Sequence, residues 1–250
     1  RFILERNEIR SVAAAFIIGI LITSAFFVLY YSPFNSNTDF REIYIPLGAK
    51  SKIELPDGSS VWLNSGTKIS YPGMYRDKRE VTLNGEAYFE VVKSNIPFCV
   101  NTVKGKIEVL GTAFNVQCFS SEDFKTTLVS GSVKLTGIGG KTVLLKPGEQ
   151  AGISQSGELA VSRVDTDSYT SWKEGKLIFS REPFYIMAQR LERWYNVKIV
   201  IADEELRNLW FTGSVEIETL TEFMALIEQT YPIKYSYDQE TKILRLEKKK

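Results

Sequence analysis

Two pairs of carboxylates are the side chains of this sequence whose type and spacing could support catalysis. Glu86 with Glu90, or Asp165 with Asp167, could cleave a glycosidic bond, which needs one carboxyl group with a raised pKa and one with an ordinary pKa. Such pairs on strands and loops are usually solvated instead. The sequence contains no histidine, which is the commonest general base and the commonest metal ligand. We therefore predict a protein without enzymatic activity, metal site or cofactor.

The remaining candidate nucleophiles lack a suitable partner. Ser130-Gly131-Ser132 lies in a strand pattern and has no histidine to activate a hydroxyl group. Cys99 and Cys118 are the only cysteines, too few for a thiolate zinc site and not spaced as Cys-x-x-Cys. Both lie in predicted strands. They could form a disulfide in an oxidising compartment or remain two buried apolar thiols, and we favour the second alternative.

The overall charge excludes one class of partner. The 250 residues carry 31 basic and 30 acidic side chains, which leaves a net charge of +1. Binding to nucleic acid normally requires a clear excess of positive charge. We therefore predict no nucleic-acid partner.

The longest uncharged stretch runs from Val12 through Ile20 to Tyr31 and predicts a membrane-spanning helix. At about 1.5 Å per residue these twenty residues reach about 30 Å, the thickness of the hydrocarbon layer of a bilayer. The alternative is a cleavable signal peptide, whose apolar region is shorter and ends at an Ala-x-Ala-like site. The excess of arginine over glutamate in residues 1–11 favours a cytoplasmic N-terminus. We expect a single-pass inner-membrane protein whose C-terminal domains are periplasmic.

Beyond the predicted helix, residues 32–42 read as a linker and residues 43–164 as an all-β domain. The segment 55–63 contains a Pro-Asp-Gly turn signal between two β-prone runs. Three later segments resemble each other, each a strand interrupted by a glycine: Gly85, Gly111 and Gly131. A glycine within a strand indicates a bend or bulge. The expected fold is one of stacked strands, either solenoid-like or jelly-roll-like.

Residues 165–250 change to a mixed pattern that predicts a small α+β domain. Apolar residues recur at helical spacing behind Pro183, and a strand at 197–201 follows. The pattern returns 36 residues later, where Thr219 and Glu222 form a capping box at a second helix. With strands at 176–179 and 209–215, the predicted order is two β-α-β repeats, closed by a hairpin of residues 234–237 and 242–246.

One short stretch of this domain is a candidate partner-binding site: Trp210, Phe211, Thr212 and Gly213. Small sheets leave edge strands that a partner can extend, and the glycine would admit a close backbone approach. The alternative is that one of the two aromatic residues lies in the core and the other packs over it. A different function, binding of glycan or cell wall without control of a sigma factor, would use Trp62, Tyr71 and Tyr75 as exposed stacking faces.

Five motifs in the β domain carry a family resemblance, and they occur in a specific order: LPDGS (55–59), NGEAYFEV (84–91), VLGTAFNV (109–116), VSGSV (129–133) and LKPGEQ (145–150). This order resembles the FecR (ferric-citrate-regulator) family of transmembrane anti-sigma factors over residues 43–153. The β-α-β repeats resemble the short N-terminal domain that secretins and TonB-dependent transducers share, in the form that ends FecR-like proteins of Bacteroidetes.

The resemblance implies a signal relay with three kinds of partner. A TonB-dependent, SusC-like transducer of the outer membrane would present its periplasmic signalling domain to the C-terminal part of the regulator. Regulatory proteases would then cut the regulator, whose cytoplasmic segment would free or activate an extracytoplasmic-function sigma factor. Residues 1–11 are too short to hold a sigma-binding helical domain, so that activity is assigned to no residue.

Overall fold

The computed structural model describes residues 6–31 and 39–249 and divides the chain into two compact units, Arg1–Thr38 and Asp39–Lys250. The described part of the first unit is the helix α1 (Arg6–Tyr31). In the part of the chain that the structure describes, no helix has the length and apolar character needed to cross a bilayer. The helix predicted over residues 12–31 is thus present, but its role as a membrane span is not confirmed. Residues 1–5 and 32–38, predicted as cytoplasmic segment and linker, lie outside the described residues.

The second unit begins with a run of strands connected mostly by short turns. They are β1 (Phe40–Tyr44), β2 (Ser51–Glu54), β3 (Ser60–Leu63), β4 (Lys68–Pro72), β5 (Arg79–Glu90), β6 (Phe98–Asn101), β7 (Gly105–Val109), β8 (Ala113–Cys118), β9 (Phe124–Ser130), β10 (Val133–Gly137), β11 (Thr142–Leu145), β12 (Glu149–Ile153) and β13 (Leu159–Arg163). The predicted turn between β2 and β3 is present, because Gly58 has φ +81° and its N–H donates to the Leu55 carbonyl at 2.9 Å.

Two sheets share the long strand β5. The first half of β5 pairs with β4 and β6 in the order β1-β4-β5-β6-β7-β10-β11. The second half pairs with β3 and β8 in the order β2-β3-β5-β8-β9-β12-β13. Gly85, with φ +126°, lies where β5 changes sheets, and a Cβ there would be 2.6 Å from Thr67 Cα. The bend predicted at this glycine is confirmed.

The hydrophobic core lies between the two sheets. Phe98 on β6 packs against Phe89 on β5 at 6.0 Å between ring centroids, and Phe89 stacks on Phe114 of β8 at 5.1 Å. All three rings are completely buried. Since β6 and β8 belong to different sheets, the sheets face each other as a sandwich. All strand pairs in it are antiparallel except β5 with β6, so the solenoid-like alternative does not hold.

The rest of the chain forms a smaller α+β lobe. It contains α2 (Asp167–Thr170), a 3₁₀ turn (Ser171–Glu174), β14 (Leu177–Pro183), α3 (Phe184–Tyr195), β15 (Lys198–Ile201), α4 (Glu204–Arg207), β16 (Trp210–Val215), α5 (Leu220–Thr230), β17 (Ile233–Asp238) and β18 (Ile243–Lys248). The predicted β-α-β order occurs twice. The capping box of Thr219 and Glu222 begins α5, as expected.

Strand pairing in this lobe is interleaved between the two repeats. β14 pairs with β16 in one antiparallel sheet, and the second sheet has the order β15-β18-β17 with β15 parallel to β18. The two strands of one β-α-β repeat are therefore not neighbours. Helices α3 and α5 contact both sheets and lie between them, because their apolar residues meet β14 and β16 on one side and β15 and β17 on the other.

A second hydrophobic core, separate from that of the sandwich, fills this lobe. Its centre is aromatic: Phe211 lies 5.3 Å from Phe179, 6.1 Å from Phe184 and 5.9 Å from Phe223, measured between ring centroids. The predicted domain limits at residues 164 and 165 stay a prediction, since residues 39–250 form one compact unit.

Candidate partner-binding site

The candidate strand β16 lies at an edge of the two-stranded sheet. Its neighbour on one side is β14, and no strand of the described residues pairs with the other side. Side chains alternate along β16, so Phe211 (4% exposed) and Val215 face the core, whereas Trp210 is 56% exposed and Thr212 is also exposed. The structure therefore separates the two predicted aromatic residues: Trp210 remains available to a partner, and Phe211 belongs to the core.

Gly213 makes room for a side chain of its own strand. A Cβ atom at this position would lie 2.7 Å from Cζ of Phe211, the residue two positions earlier on the same strand. The ring of Phe211 leans along β16 and occupies the space beside the glycine. The missing side chain thus leaves room for the ring of Phe211, and the close approach of a partner to this backbone stays a prediction.

A bulge in β14 places a cation on the exposed indole ring. The β14–β16 register shifts between Phe179 and Glu182, and Arg181 within the bulge has φ +50°. Its guanidinium lies 5.5 Å from the centroid of the Trp210 ring, and its backbone N–H donates to Thr212 Oγ1 at 3.0 Å. Sequence reasoning missed Arg181, because neither glycine nor asparagine marks this left-handed position.

The start of β16 is held firmly by its neighbours. The hydroxyl of Tyr231 donates to the Trp210 carbonyl at 3.2 Å, and the N–H of Phe184 donates to the Leu209 carbonyl at 2.8 Å. The ring of Tyr231 also packs edge-on against Phe184 at 5.1 Å. Trp210 is therefore presented from a fixed backbone, which lowers the entropy cost of binding through it.

A polar chain of side chains joins the smaller lobe to the sandwich. Trp172 in the 3₁₀ turn donates through Nε1 to Asn115 Oδ1 at 3.1 Å. Asn115 Nδ2 in turn donates to Glu86 Oε1 at 3.0 Å, and Asn64 Nδ2 donates to Glu86 Oε2 at 2.7 Å. Both carboxylate oxygens of Glu86 are thus held by amides in a buried network, so Glu86 has a structural place in the contact between the lobes.

A second contact between the lobes uses charged residues. Arg193 on α3 forms a hydrogen-bonded ion pair with Glu122 of the sandwich, and Gln117 Nε2 donates to Glu122 at 2.7 Å. The Nζ atom of Lys50 lies 3.3 Å from the centroid of the Trp194 ring. Partial burial lowers the pKa of Lys50 to about 8, although the negative charge of Glu86 acts in the opposite direction. The two lobes are thereby fixed against each other.

Comparison with known proteins assigns both lobes to one family. The family model described as FecR protein matches residues 41–134, and the model described as FecR, C-terminal matches residues 176–244. Together the two segments include more than half of the chain. It belongs to the FecR family. β16 and the exposed Trp210 lie in the segment matched as FecR, C-terminal.

Solved structures agree with this assignment. Two crystal structures of a proposed anti-sigma factor from Parabacteroides distasonis ATCC 8503, at 1.65 Å and 2.50 Å resolution, share 29% sequence identity with this chain and have a TM-score of 0.78. Their chains are matched over their full length by 84% and 85% of the present chain, respectively. No curated protein matches the chain.

The two cysteines of this FecR-family chain do not form the disulfide that we considered. On β6, Phe98 and Val100 face the core, so Cys99 between them faces the outer side of the first sheet, near Lys106. Cys118 on β8 lies within the core. The two thiols thus lie on different faces of different sheets, and burial raises the pKa of both.

The aromatic residues considered for glycan stacking are not exposed together. Tyr71 is only 5% exposed and belongs to the sandwich core. Tyr75 packs edge-on against Phe98 at 6.3 Å, and Trp62 packs against Tyr88 at 5.7 Å. A sugar ring needs an open aromatic face, so these residues do not provide the predicted platform.

Proposed function

We propose that this FecR-family chain is an anti-sigma regulator that relays a signal from an outer-membrane, TonB-dependent (SusC-like) transducer to an extracytoplasmic-function sigma factor. The family assignment and the structural similarity to a proposed anti-sigma factor support this role. The observation that carries the transducer contact is the exposed Trp210 on the unpaired edge of β16.

An open strand edge suits the recognition of a folded signalling domain. Backbone N–H and C=O groups along such an edge can pair with an added strand, and an exposed tryptophan supplies a large apolar contact. Tryptophan is also one of the residue types that most often dominate the free energy of a protein interface. The signalling domain of the transducer would therefore extend the β14–β16 sheet and cover Trp210.

The binding site is tested by titrating residues 39–250 with the signalling domain of the transducer. This segment is one compact unit with its own hydrophobic cores. Trp210→Asp should weaken binding more than about tenfold, because a charge replaces an interface anchor. Leu144→Asp, at an exposed apolar site of the sandwich, is the matched control and should leave affinity unchanged. Equal affinity of the wild type and Trp210→Asp would reject the site.

We also propose that α1 anchors the chain in the inner membrane, with the N-terminus cytoplasmic and residues 39–250 periplasmic. The twenty uncharged residues 12–31 and the exposed apolar side chains of α1, among them Phe16 and Leu21, support this proposal. The sigma factor would then contact the cytoplasmic side, where proteolysis would release the contacting segment.

The topology is tested with a reporter enzyme that is active only in the periplasm. A fusion to Lys250 should be active, and the full-length protein should stay in the membrane fraction after alkaline extraction. Activity of a cytoplasm-specific reporter at Lys250, or release of the protein into the aqueous fraction, would contradict this proposal.

A further inference from the structure

Four large apolar side chains are exposed at one edge of the first sheet of the sandwich. Phe40 begins β1 and Met74 follows β4. Ile96 precedes β6 and Leu110 follows β7. Their exposed fractions are 64%, 70%, 43% and 52%, respectively. Single exposed apolar residues are normal on a protein surface, whereas a group of them on one surface marks an interaction site. We call these four residues the entry edge, because the chain enters the sandwich at β1.

Strand pairing places the first two of these residues side by side. Phe40 at the start of β1 is the pairing partner of Pro72 at the end of β4. The next residue, Gly73, donates through its N–H to the Asp39 carbonyl at 2.7 Å. Met74 therefore lies beside the start of β1.

The same edge continues across β5, β6 and β7. Because β4 and β5 are antiparallel, the end of β4 lies beside the start of β5. There, Nε of Arg79 donates to the Ile96 carbonyl at 3.0 Å. The N–H of Ser94 in turn donates to the Leu110 carbonyl at 2.8 Å. At about 4.8 Å between neighbouring strands, the entry edge extends over about 19 Å from β1 to β7.

The segments that carry Phe40, Met74 and Ile96 have more basic than acidic residues. Residues 39–41, 73–78 and 92–97 contain four exposed basic and two exposed acidic side chains: Arg41, Arg76, Lys78 and Lys93, and Asp39 and Asp77. Glu80 lies 4.0 Å from Lys78 and partly neutralises it. Lys93 lies against the turn that carries Leu110, since a Cβ atom at Gly111 would be 2.8 Å from its Cα. Exposed apolar side chains beside cations suit a bilayer surface that contains anionic lipids.

The position of the entry edge in the chain favours a bilayer as its partner. Residues 32–38, which lie outside the described residues, separate Tyr31 at the end of α1 from Asp39. At about 3.5 Å per residue, the chain from Tyr31 to Asp39 reaches about 28 Å at most. With α1 anchored in the membrane as proposed above, the bilayer surface is within reach of the entry edge.

The smaller lobe leaves the entry edge uncovered. β1 runs from Phe40 towards the turn at Gly48, whose N–H donates to the Arg193 carbonyl of the smaller lobe at 2.9 Å. The smaller lobe is thus held beyond the other end of β1. A membrane contact at the entry edge would leave the candidate partner-binding strand β16 on the lobe that is farther from the bilayer.

We propose that the entry edge docks the sandwich on the surface of the inner membrane. The side chains of Phe40, Met74 and Leu110 insert among the lipid headgroups, and Lys93 pairs with anionic headgroups. This inference rests on the membrane anchor proposed above, and it adds a second contact with the bilayer that fixes the orientation of residues 39–250. The smaller lobe then points into the periplasm, where a transducer domain can reach it.

The apolar contact is tested by co-sedimentation of residues 39–250 with vesicles of phosphatidylglycerol and phosphatidylethanolamine. Phe40→Ser should weaken vesicle binding about tenfold, because the burial of a large apolar side chain is lost. Ile138→Ser is the matched control, since Ile138 is 75% exposed and lies in the β10–β11 turn at the opposite edge of the same sheet. Ile138→Ser should leave vesicle binding unchanged. Both variants should keep the wild-type melting temperature, because neither side chain is buried.

The charge contact is tested with Lys93→Gln on the same vesicles. Lys93→Gln should weaken binding about fivefold, and the difference should disappear at high salt, where exposed charges are screened. Lys141→Gln is the matched control, because Lys141 is exposed in the β10–β11 turn. Equal effects of both variants would contradict a role of Lys93.

The orientation is tested in the full-length protein reconstituted in these vesicles. A fluorescent dye on Met74→Cys should be quenched by lipids that carry a quencher at the headgroup, whereas a dye on Ile138→Cys should not be quenched. Native Cys99 and Cys118 are buried and should not react with the dye.

The outcomes separate the docking from the anchor. If the full-length protein stays in the membrane but the dye on Met74→Cys is not quenched, the docking is wrong and the anchor stands. Absence of vesicle binding by residues 39–250, or equal binding of the wild type and Phe40→Ser, also rejects the docking alone. Release of the full-length protein from the membrane rejects both proposals. A dimer of residues 39–250 that Phe40→Ser abolishes, without vesicle binding, would assign the entry edge to self-association instead.

Discussion

At Gly213 the strand β16 has no side chain because an aromatic ring needs the space. Phe211 lies among Phe179, Phe184 and Phe223, and its ring occupies the space that a Cβ atom of Gly213 would need. The exposed Trp210 is one position before this buried ring. The packing of Phe211 therefore fixes the strand from which the candidate binding residue projects.

Replacing Gly213 by alanine should destabilise the smaller lobe. The new methyl group would lie 2.7 Å from Phe211 Cζ, and overpacking of a well-filled core typically costs about 1–3 kcal/mol. Gly152→Ala on β12 is the matched control, because the nearest atom beyond its chain neighbours, the Phe124 carbonyl oxygen, would be 3.8 Å from the new Cβ. Urea unfolding of residues 39–250 measures both variants. An unchanged midpoint for Gly213→Ala would show that the ring can move aside.

At the scale of elements, patterns of neighbouring residues predict where the helices lie, but they do not predict which strands pair. The apolar stripe behind Pro183 and the capping box at Thr219 depend on residues three or four positions apart, and both helices occur where expected. The pairing of β14 with β16 joins the first strands of the two repeats, which have α3, β15 and α4 between them in the chain. Hydrophobic periodicity shows which side of a strand is buried, but it does not identify the neighbouring strand.

Only part of the candidate site is predictable, because the sequence does not show which strands are neighbours. An aromatic pair at the start of a strand indicates Trp210 and Phe211, and the alternation of side chains along β16 separates them. Arg181 could not be assigned, since it reaches Trp210 through a bulge that bends a different strand.

At the scale of the whole molecule, the contact between the lobes determines whether residues 39–250 behave as one body. The side chains of Arg193 and Glu122 are only 15% and 8% exposed, and Arg193 also packs its guanidinium 4.1 Å from the centroid of the Phe119 ring. The Trp172–Asn115–Glu86 chain provides a second contact. A strand added to β16 would therefore act on a lobe that is coupled to the sandwich.

Removal of the Arg193 charge should destabilise this coupling. Arg193→Met leaves Glu122 as a buried carboxylate without its cation, and breaking a buried pair in this way costs about 3–5 kcal/mol. Arg207→Met is the matched control, because its pair with Glu204 is largely exposed and worth less than about 1 kcal/mol. Calorimetry of residues 39–250 should show separate melting of the two lobes only in Arg193→Met. A single transition at the wild-type temperature would contradict the role of this pair.

Because β5 belongs to both sheets, its register determines which side chains face the core in each of them. Leu83 in its first half and Phe89 in its second half both face the core, although they belong to different sheets. A slip of β5 by one residue would turn both side chains outward and direct Glu90 inward. A shifted register would thus expose apolar side chains of both sheets at the same time. The stretch NGEAYFEV, in which the two halves of β5 meet, therefore supplies core residues and also disfavours strand pairings in a shifted register.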